Sequence, residues 1–211
     1  ALPIKQYLRK TNKWYERYVQ KKNNSYSFVN KLSDIKKLEK KINFKISEKQ
    51  KFIEISIEGI KIIKKLNKII SNGGGCMLFI DYAYEANKMH DTLQSVKKHK
   101  KVNIFKYVGK SDITHLINII NLKKIVKKLN LDINYTSQRN FLLNLGILQR
   151  AEILSANKNF LEKANIYYRI NRLIDKNNMG EIFKVIHIHT KNKKFNIGFK
   201  WLYQNYLVTQ K

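Results

Sequence analysis

The chain has 211 residues, 43% of them hydrophobic, and carries 43 Lys and Arg against 15 Asp and Glu for a net charge of +28. That length and apolar content are enough to bury a core, and the lone Cys76 excludes an internal disulfide or a cysteine-built metal site. No apolar run approaches the roughly 20 residues a membrane-spanning helix needs, and Ala1-Leu2-Pro3-Ile4-Lys5 is not a signal peptide.

Residues 4 to 29 alternate in short segments (Ile4, Gln6, Leu8; Trp14, Glu16, Tyr18; Tyr26, Phe28) around the turn Asn23-Asn24-Ser25, which predicts two or three antiparallel strands. The lysine-rich stretch from Lys31 to Lys51 has weak periodicity and reads as a solvated connection with some helix. Phe52 to Ser56 is a short strand. Ile60, Ile63, Leu66, Ile69 and Ile70 then recur at helical spacing up to the stop Asn72-Gly73.

After Gly73-Gly74-Gly75, the run Cys76 to Ile80 is continuously apolar. Strand, helix, glycine turn and strand in succession predict a β-α-β unit with a parallel pair, and an apolar run of this kind predicts a central strand covered on both faces. Cys76 then reads as an inert packed thiol. Leu116 to Leu129 is an amphipathic helix with Lys123, Lys124, Lys127 and Lys128 on its wet face, followed by a strand at Leu131 to Thr136. Residues 138 to 174 are helical with breaks near Gly146 and Asn157, and Phe183 to His189 is a late strand. One domain covers residues 1–211, with a β-rich edge at 4–51 and a helical insertion at 138–174.

Only six of the 43 basic residues are arginine, while Lys, Asn, Ile and Tyr, all with A/T-rich codons, are abundant together. The charge therefore reads more as genome bias than as selection for polyanions, and nucleic acid is the less favoured partner. The scarce acids Asp81, Glu85, Asp91 and Asp112 fall in or near segments that follow apparent strands. A sheet delivers such residues to the cleft beyond its strand ends, and paired carboxylates suit a cationic ligand such as a guanidinium. His187 and His189 share one strand face, but a metal site needs further ligands. Gly73 to Gly75 precedes a strand instead of opening a helix, so it is a connector and not a phosphate cradle.

Several blocks in order resemble the C-terminal part of the MidA-like family of class I methyltransferases, known in mitochondria as complex I assembly factors. They are Ala1-Leu2-Pro3-Ile4-Lys5-Gln6; Leu78-Phe79-Ile80-Asp81-Tyr82; Asp91-Thr92-Leu93-Gln94 through His99; Val108-Gly109 with Asp112-Ile113-Thr114; Gln138 to Leu143 with Leu145-Gly146-Ile147; and Met179-Gly180-Glu181-Ile182-Phe183-Lys184-Val185. Three positions depart from the family's pattern: Ala83 stands for a glycine, His115 lies one position before the expected histidine, at Leu116, and Asn118 stands for an Asp.

The resemblance implies an α/β fold, the C-terminal portion of a Rossmann-like class I methyltransferase sheet with a small β insertion and added helices. It implies S-adenosylmethionine as cofactor, with the main binding motifs in an N-terminal half that precedes Ala1. The chain, which starts without Met, then reads as a fragment, inactive without that half as its partner. The implied reaction is methylation of an arginine on a respiratory complex I subunit, in a bacterial cytoplasm or the mitochondrial matrix. Asp81 and Asp112 are the implied catalytic carboxylates, and Pro3, Tyr82, Asp91, Thr92, His99 and Gln138 the implied substrate-binding residues. The competing readings are a basic RNA- or ribosome-associated module and an inactive remnant of a split gene.

Overall fold

The alternation near the start of the chain resolves into a meander of β1 (Lys5–Lys10), β2 (Lys13–Lys22) and β3 (Ser25–Ser33). The two turns, Thr11-Asn12 and Asn23-Asn24, hold all four residues at φ between 41° and 62°. Left-handed backbone at both turn positions matches the twist of the flanking strands, and asparagine tolerates it. The computed structural model describes residues 2–191 and 196–199.

The lysine-rich stretch contains the expected helix, α1 (Ile35–Ile42), N-capped by Asp34, whose carboxylate accepts from Lys36 N at 2.9 Å, but it packs into the core where a solvated connection was expected. Ile35, Leu38 and Ile42, at i, i+3 and i+7, are buried together with Tyr7, Trp14, Ile53 and Ile55. Lysines on the wet face mask this apolar stripe in the sequence.

β4 (Phe52–Ile55) lies antiparallel along the free edge of β1, which gives the order β3-β2-β1-β4. Next come α2 (Ile57–Gly73), β5 (Cys76–Tyr84), β6 (Gln94–Lys97), β7 (Lys100–Val102), β8 (Asp112–Thr114), β9 (Ile117–Asn118) and α3 (Ile119–Lys128). β6 pairs antiparallel with both β7 and β8. The remaining elements are β10 (Leu131–Ser137), α4 (Gln138–Asn144), α5 (Ile147–Ser155), α6 (Phe160–Ile174), α7 (Met179–Ile182) and β11 (Phe183–Thr190).

These elements fall into two units, one formed by Ala1–Ile69 with Tyr84–Ile125 and the other by Ile70–Ala83 with Val126–Lys211. In the second, β11 runs between β10 and β5 and pairs antiparallel with each, Ile186 opposite both Tyr135 and Phe79. Val185, Ile186 and Ile188 are fully buried. Gln138 donates to Leu173 O at 2.9 Å and Arg139 to Ile174 O at 2.7 Å, tying α4 to the end of α6. At Gly180 a Cβ would stand 2.5 Å from Ile174 O and 2.7 Å from Asp175 O, so only glycine fits there.

The expected parallel pair is not formed. β4 and β5 lie in different sheets, and each pairs antiparallel with a distant strand, β4 with β1 and β5 with β11. Periodicity identifies a strand but not its partner. Nor is β5 covered on both faces: Met77 and Ala83 are buried, whereas Leu78 and Ile80 are each 52% exposed. Cys76 is likewise exposed and not a packed thiol.

Candidate functional site

Within the first unit, one face of the β2-β1-β4 sheet is apolar and the other carries a row of polar side chains. Strand alternation produces the division. Tyr7 and Ile53 are register partners in the core, and burial, reinforced by Glu16, pushes the Tyr7 hydroxyl well above its ordinary pKa. On the opposite face Gln6 and Glu54 are register partners. The buried Gln6 amide donates to Glu54 Oε2 at 2.6 Å and to Asp91 Oδ1 at 2.9 Å. Arg17 donates to Gln6 Oε1 at 2.9 Å and forms an ion pair with Asp91, its guanidinium lying 4.9 Å from the Phe28 ring centroid and 5.6 Å from that of Phe52.

Thr92 completes the row. Its hydroxyl donates to Glu54 Oε1 and accepts from Leu116 N at 2.8 Å, while Leu93 N donates to Asp91 Oδ1 at 3.2 Å. Two carboxylates and one guanidinium thus share a site with net charge −1 inside a chain of net charge +28. Charge-assisted bonds through a fixed amide make such an arrangement rigid.

Tyr84 lies in the same unit, its ring 4.5 Å from His90. Burial raises the Tyr84 pKa, Glu54 adds to the rise, and hydrogen bonds involving Asn118 and His90 oppose it. Asn118, the departure from an expected Asp, has its Oδ1 accepting from Asn121 N at 2.8 Å at the start of α3 while its Nδ2 donates to Ala86 O at 2.9 Å. A carboxylate could cap the helix but could not make the second bond.

The structure brings Asp91 and Thr92 together with three residues that were given no site role from the sequence: Gln6, Arg17 and Glu54. The signal was present for Glu54, an acid between the buried Ile53 and Ile55 of a four-residue strand, but alternation shows only that it faces away from the core. Asp112 sits on β8, exposed, with Val96 as its backbone partner. Pro3 is exposed ahead of β1. His99 lies with Lys98 in the turn between β6 and β7, at φ 61° and 49°, and is exposed. Asp81 and Tyr82 belong to β5 of the second unit: Asp81 is exposed and accepts from Tyr82 N at 2.8 Å, and Tyr82 packs on Phe183 at 4.1 Å. Gln138, also in the second unit, is buried, and its amide is committed to Leu173 O.

Among the described residues no group of three or more His, Cys, Asp and Glu is placed to hold a metal, and no helix is long and apolar enough to cross a membrane. His187 and His189 stack at 4.8 Å, 26° from parallel, with His187 1% exposed. Gly74 and Gly75 take φ 71° and 136° between a helix end and a strand start. Cradling the carboxylate and ribose of S-adenosylmethionine calls for the reverse order, a strand end running through glycines into a helix, and the described residues do not supply it.

The sequence profile of a family described as "Putative S-adenosyl-L-methionine-dependent methyltransferase" matches residues 1–136, more than half of the chain. The chain belongs to this family. S-adenosylmethionine is the family's cofactor. Curated relatives include "Protein arginine methyltransferase NDUFAF7, mitochondrial" from Danio rerio, 27% identical over 187 residues, covering 87% of this chain and 44% of the relative. Its homolog from Caenorhabditis elegans is 25% identical, covering 92% of this chain and 46% of the relative. The chain thus spans less than half the length of these two relatives. Among solved structures, a protein from Burkholderia thailandensis with S-adenosyl-homocysteine bound superposes with a TM-score of 0.72 at 22% identity, covering 94% of this chain and 53% of that one. The fold is accordingly that of a class I, Rossmann-like methyltransferase, as the sequence blocks implied.

Proposed function

We propose that this chain is the acceptor-side portion of an S-adenosylmethionine-dependent protein methyltransferase that modifies arginine on a subunit of respiratory complex I. Family membership supports the methyltransferase reading, and the names of the relatives support arginine as acceptor and the mitochondrial matrix over a bacterial cytoplasm. The observation that carries the proposal is the Gln6-Glu54-Asp91-Thr92 network. It joins two blocks of the family pattern, 85 residues apart, through a single amide.

S-adenosylmethionine supplies the methyl group, and the polypeptide's task is to hold the acceptor nitrogen in line. Positioning of this kind is worth up to about 7–11 kcal/mol in favourable cases. Asp81 or Asp112, each exposed, is the proposed carboxylate for the guanidinium, whereas Asp91 is held by Arg17 and Gln6. Arg17, between a carboxylate and two aromatic rings, shows in this same chain how a guanidinium is held. Tyr82, Pro3 and His99 are proposed to shape the surface an acceptor meets. Asp91 and Thr92 act by fixing the loop, and Gln138 by fixing α4. The part of the relatives that this chain does not span is the proposed source of the cofactor cradle.

The test is to delete the gene in the organism that encodes the chain and survey arginine methylation on complex I subunits by mass spectrometry. At least one methylarginine should disappear and return when the gene is restored. An unchanged set of methylarginines would reject the proposal.

A further inference from the structure

Helix α6 turns its core side, around Ile166, Ile170, Leu173 and Ile174, into the second unit. Leu161, Asn165, Tyr168 and Arg172, at i, i+4, i+7 and i+11, form a stripe on the opposite side. The face is mixed, with Leu161 and Tyr168 apolar and Asn165 and Arg172 polar. Here Leu161 is 77% and Tyr168 73% exposed, and the adjoining Phe160 is 82% exposed. One of these alone would be unremarkable on a protein surface, but Leu161 and Tyr168, two turns apart on one face, together offer apolar contact area to a partner.

The stripe borders a groove of about 480 Å³ lined by Asn165, Tyr168, Arg169, Arg172, Leu173 and Met179. Arg169 donates its Nε to Asn165 Oδ1 at 3.1 Å, a bond that does not use its terminal nitrogens. Arginine is scarce in this chain, at six of 43 basic residues, yet two of the six stand here three positions apart. Lysine would serve for solubility, whereas a planar fork is needed for paired hydrogen bonds to carboxylates. The acid at the start of the helix, Glu162, is engaged by Asn159 and Lys158 and does not neutralise the groove.

We propose that this face of α6 docks an acidic polypeptide segment bearing large apolar side chains, with Arg169 and Arg172 taking its carboxylates and Leu161 and Tyr168 its apolar groups. Charge complementarity selects the partner. A second copy of a chain at +28 would be repelled, and a phosphate backbone would gain nothing from Leu161 and Phe160. The inference requires no methyl transfer, so it and the methylation proposal can fail independently.

The probe is a fluorescein-labelled twelve-residue peptide alternating Glu pairs with Leu and Phe, titrated with the full chain at about 150 mM salt, an ionic strength that screens diffuse attraction. Its controls are the same peptide with Ser for Leu and Phe, and an oligo-uridylate of equal charge. Arg169→Lys with Arg172→Lys, which keeps the charge, should weaken the peptide about tenfold, a loss of one well-made contact. Leu161→Ser with Tyr168→Ser should do likewise, and the Ser control should bind all proteins equally weakly. Unchanged peptide affinity in both double variants would overturn the proposal. So would a greater loss for oligo-uridylate than for the peptide, or a wild-type dimer in light scattering that the Ser variant abolishes.

Discussion

Gln6 and Asp91, 85 residues apart, are joined by a 2.9 Å hydrogen bond, and the same Gln6 nitrogen reaches Glu54 at 2.6 Å. Removing this amide leaves two carboxylates without their shared donor. Gln6→Leu should cost about 1–3 kcal/mol, the range for buried polar groups stripped of a partner. Urea unfolding measures it, and a change below about 0.5 kcal/mol, the scatter of ordinary surface substitutions, would show the network to be incidental.

Asn118 has two duties, the α3 cap through Oδ1 and the Ala86 carbonyl through Nδ2. Asn118→Asp keeps the first and loses the second, so it should cost about 1 kcal/mol, with Asn118→Ala costing more. Equal stability of the Asp and Ala variants would contradict this division of roles.

At Gly180, alanine would place its Cβ against the Ile174 and Asp175 carbonyls at 2.5 and 2.7 Å. Backbone on backbone has little freedom to yield. Gly180→Ala should destabilise by about 2–3 kcal/mol, the upper part of the overpacking range, and thermal unfolding would register it. A variant as stable as the parent would mean that the α6 to α7 junction relaxes freely.

His187 is held neutral: burial depresses its pKa, and the neighbouring His189 depresses it further. The unfolded chain, with an ordinary histidine pKa near 6.5, therefore binds the proton first as pH falls. The stability contributed by neutral His187 is full above about pH 6.5 and is lost as pH drops from there toward the depressed native value. His187→Phe, which preserves stacking against His189 and Phe199, should lose less stability than the parent between pH 8 and pH 5.5. Parallel urea midpoints across that range would refute the assignment.

Much of the fold was legible in the sequence where the signal is local. Alternation and the turn at Asn23-Asn24 pointed to two or three strands where β1 to β3 form, the Thr11-Asn12 turn going unmarked, and apolar spacing with breaks at Gly146 and Asn157 marked α4 to α6. Pairing was not legible, since β4 finds its partner more than 40 residues upstream and β5 finds β11 about 100 residues downstream. Nothing in the apolar run at Cys76 to Ile80 says that Leu78 and Ile80 stay half exposed. The site divides the same way. Asp91 and Thr92 stood out through the family pattern, whereas Arg17 and Glu54 acquire meaning only when three strands set them beside Gln6.

The central proposal is that this chain orients an acceptor arginine through Asp81 or Asp112. The most direct measurement restores the deleted gene with wild type, Asp81→Asn or Asp112→Asn, and quantifies methylarginine on complex I subunits by mass spectrometry, with protein levels matched by immunoblot. The account predicts full methylation with wild type and at least a tenfold deficit, about 1.4 kcal/mol of lost alignment, with one or both Asn variants. Full methylation with both variants would contradict it.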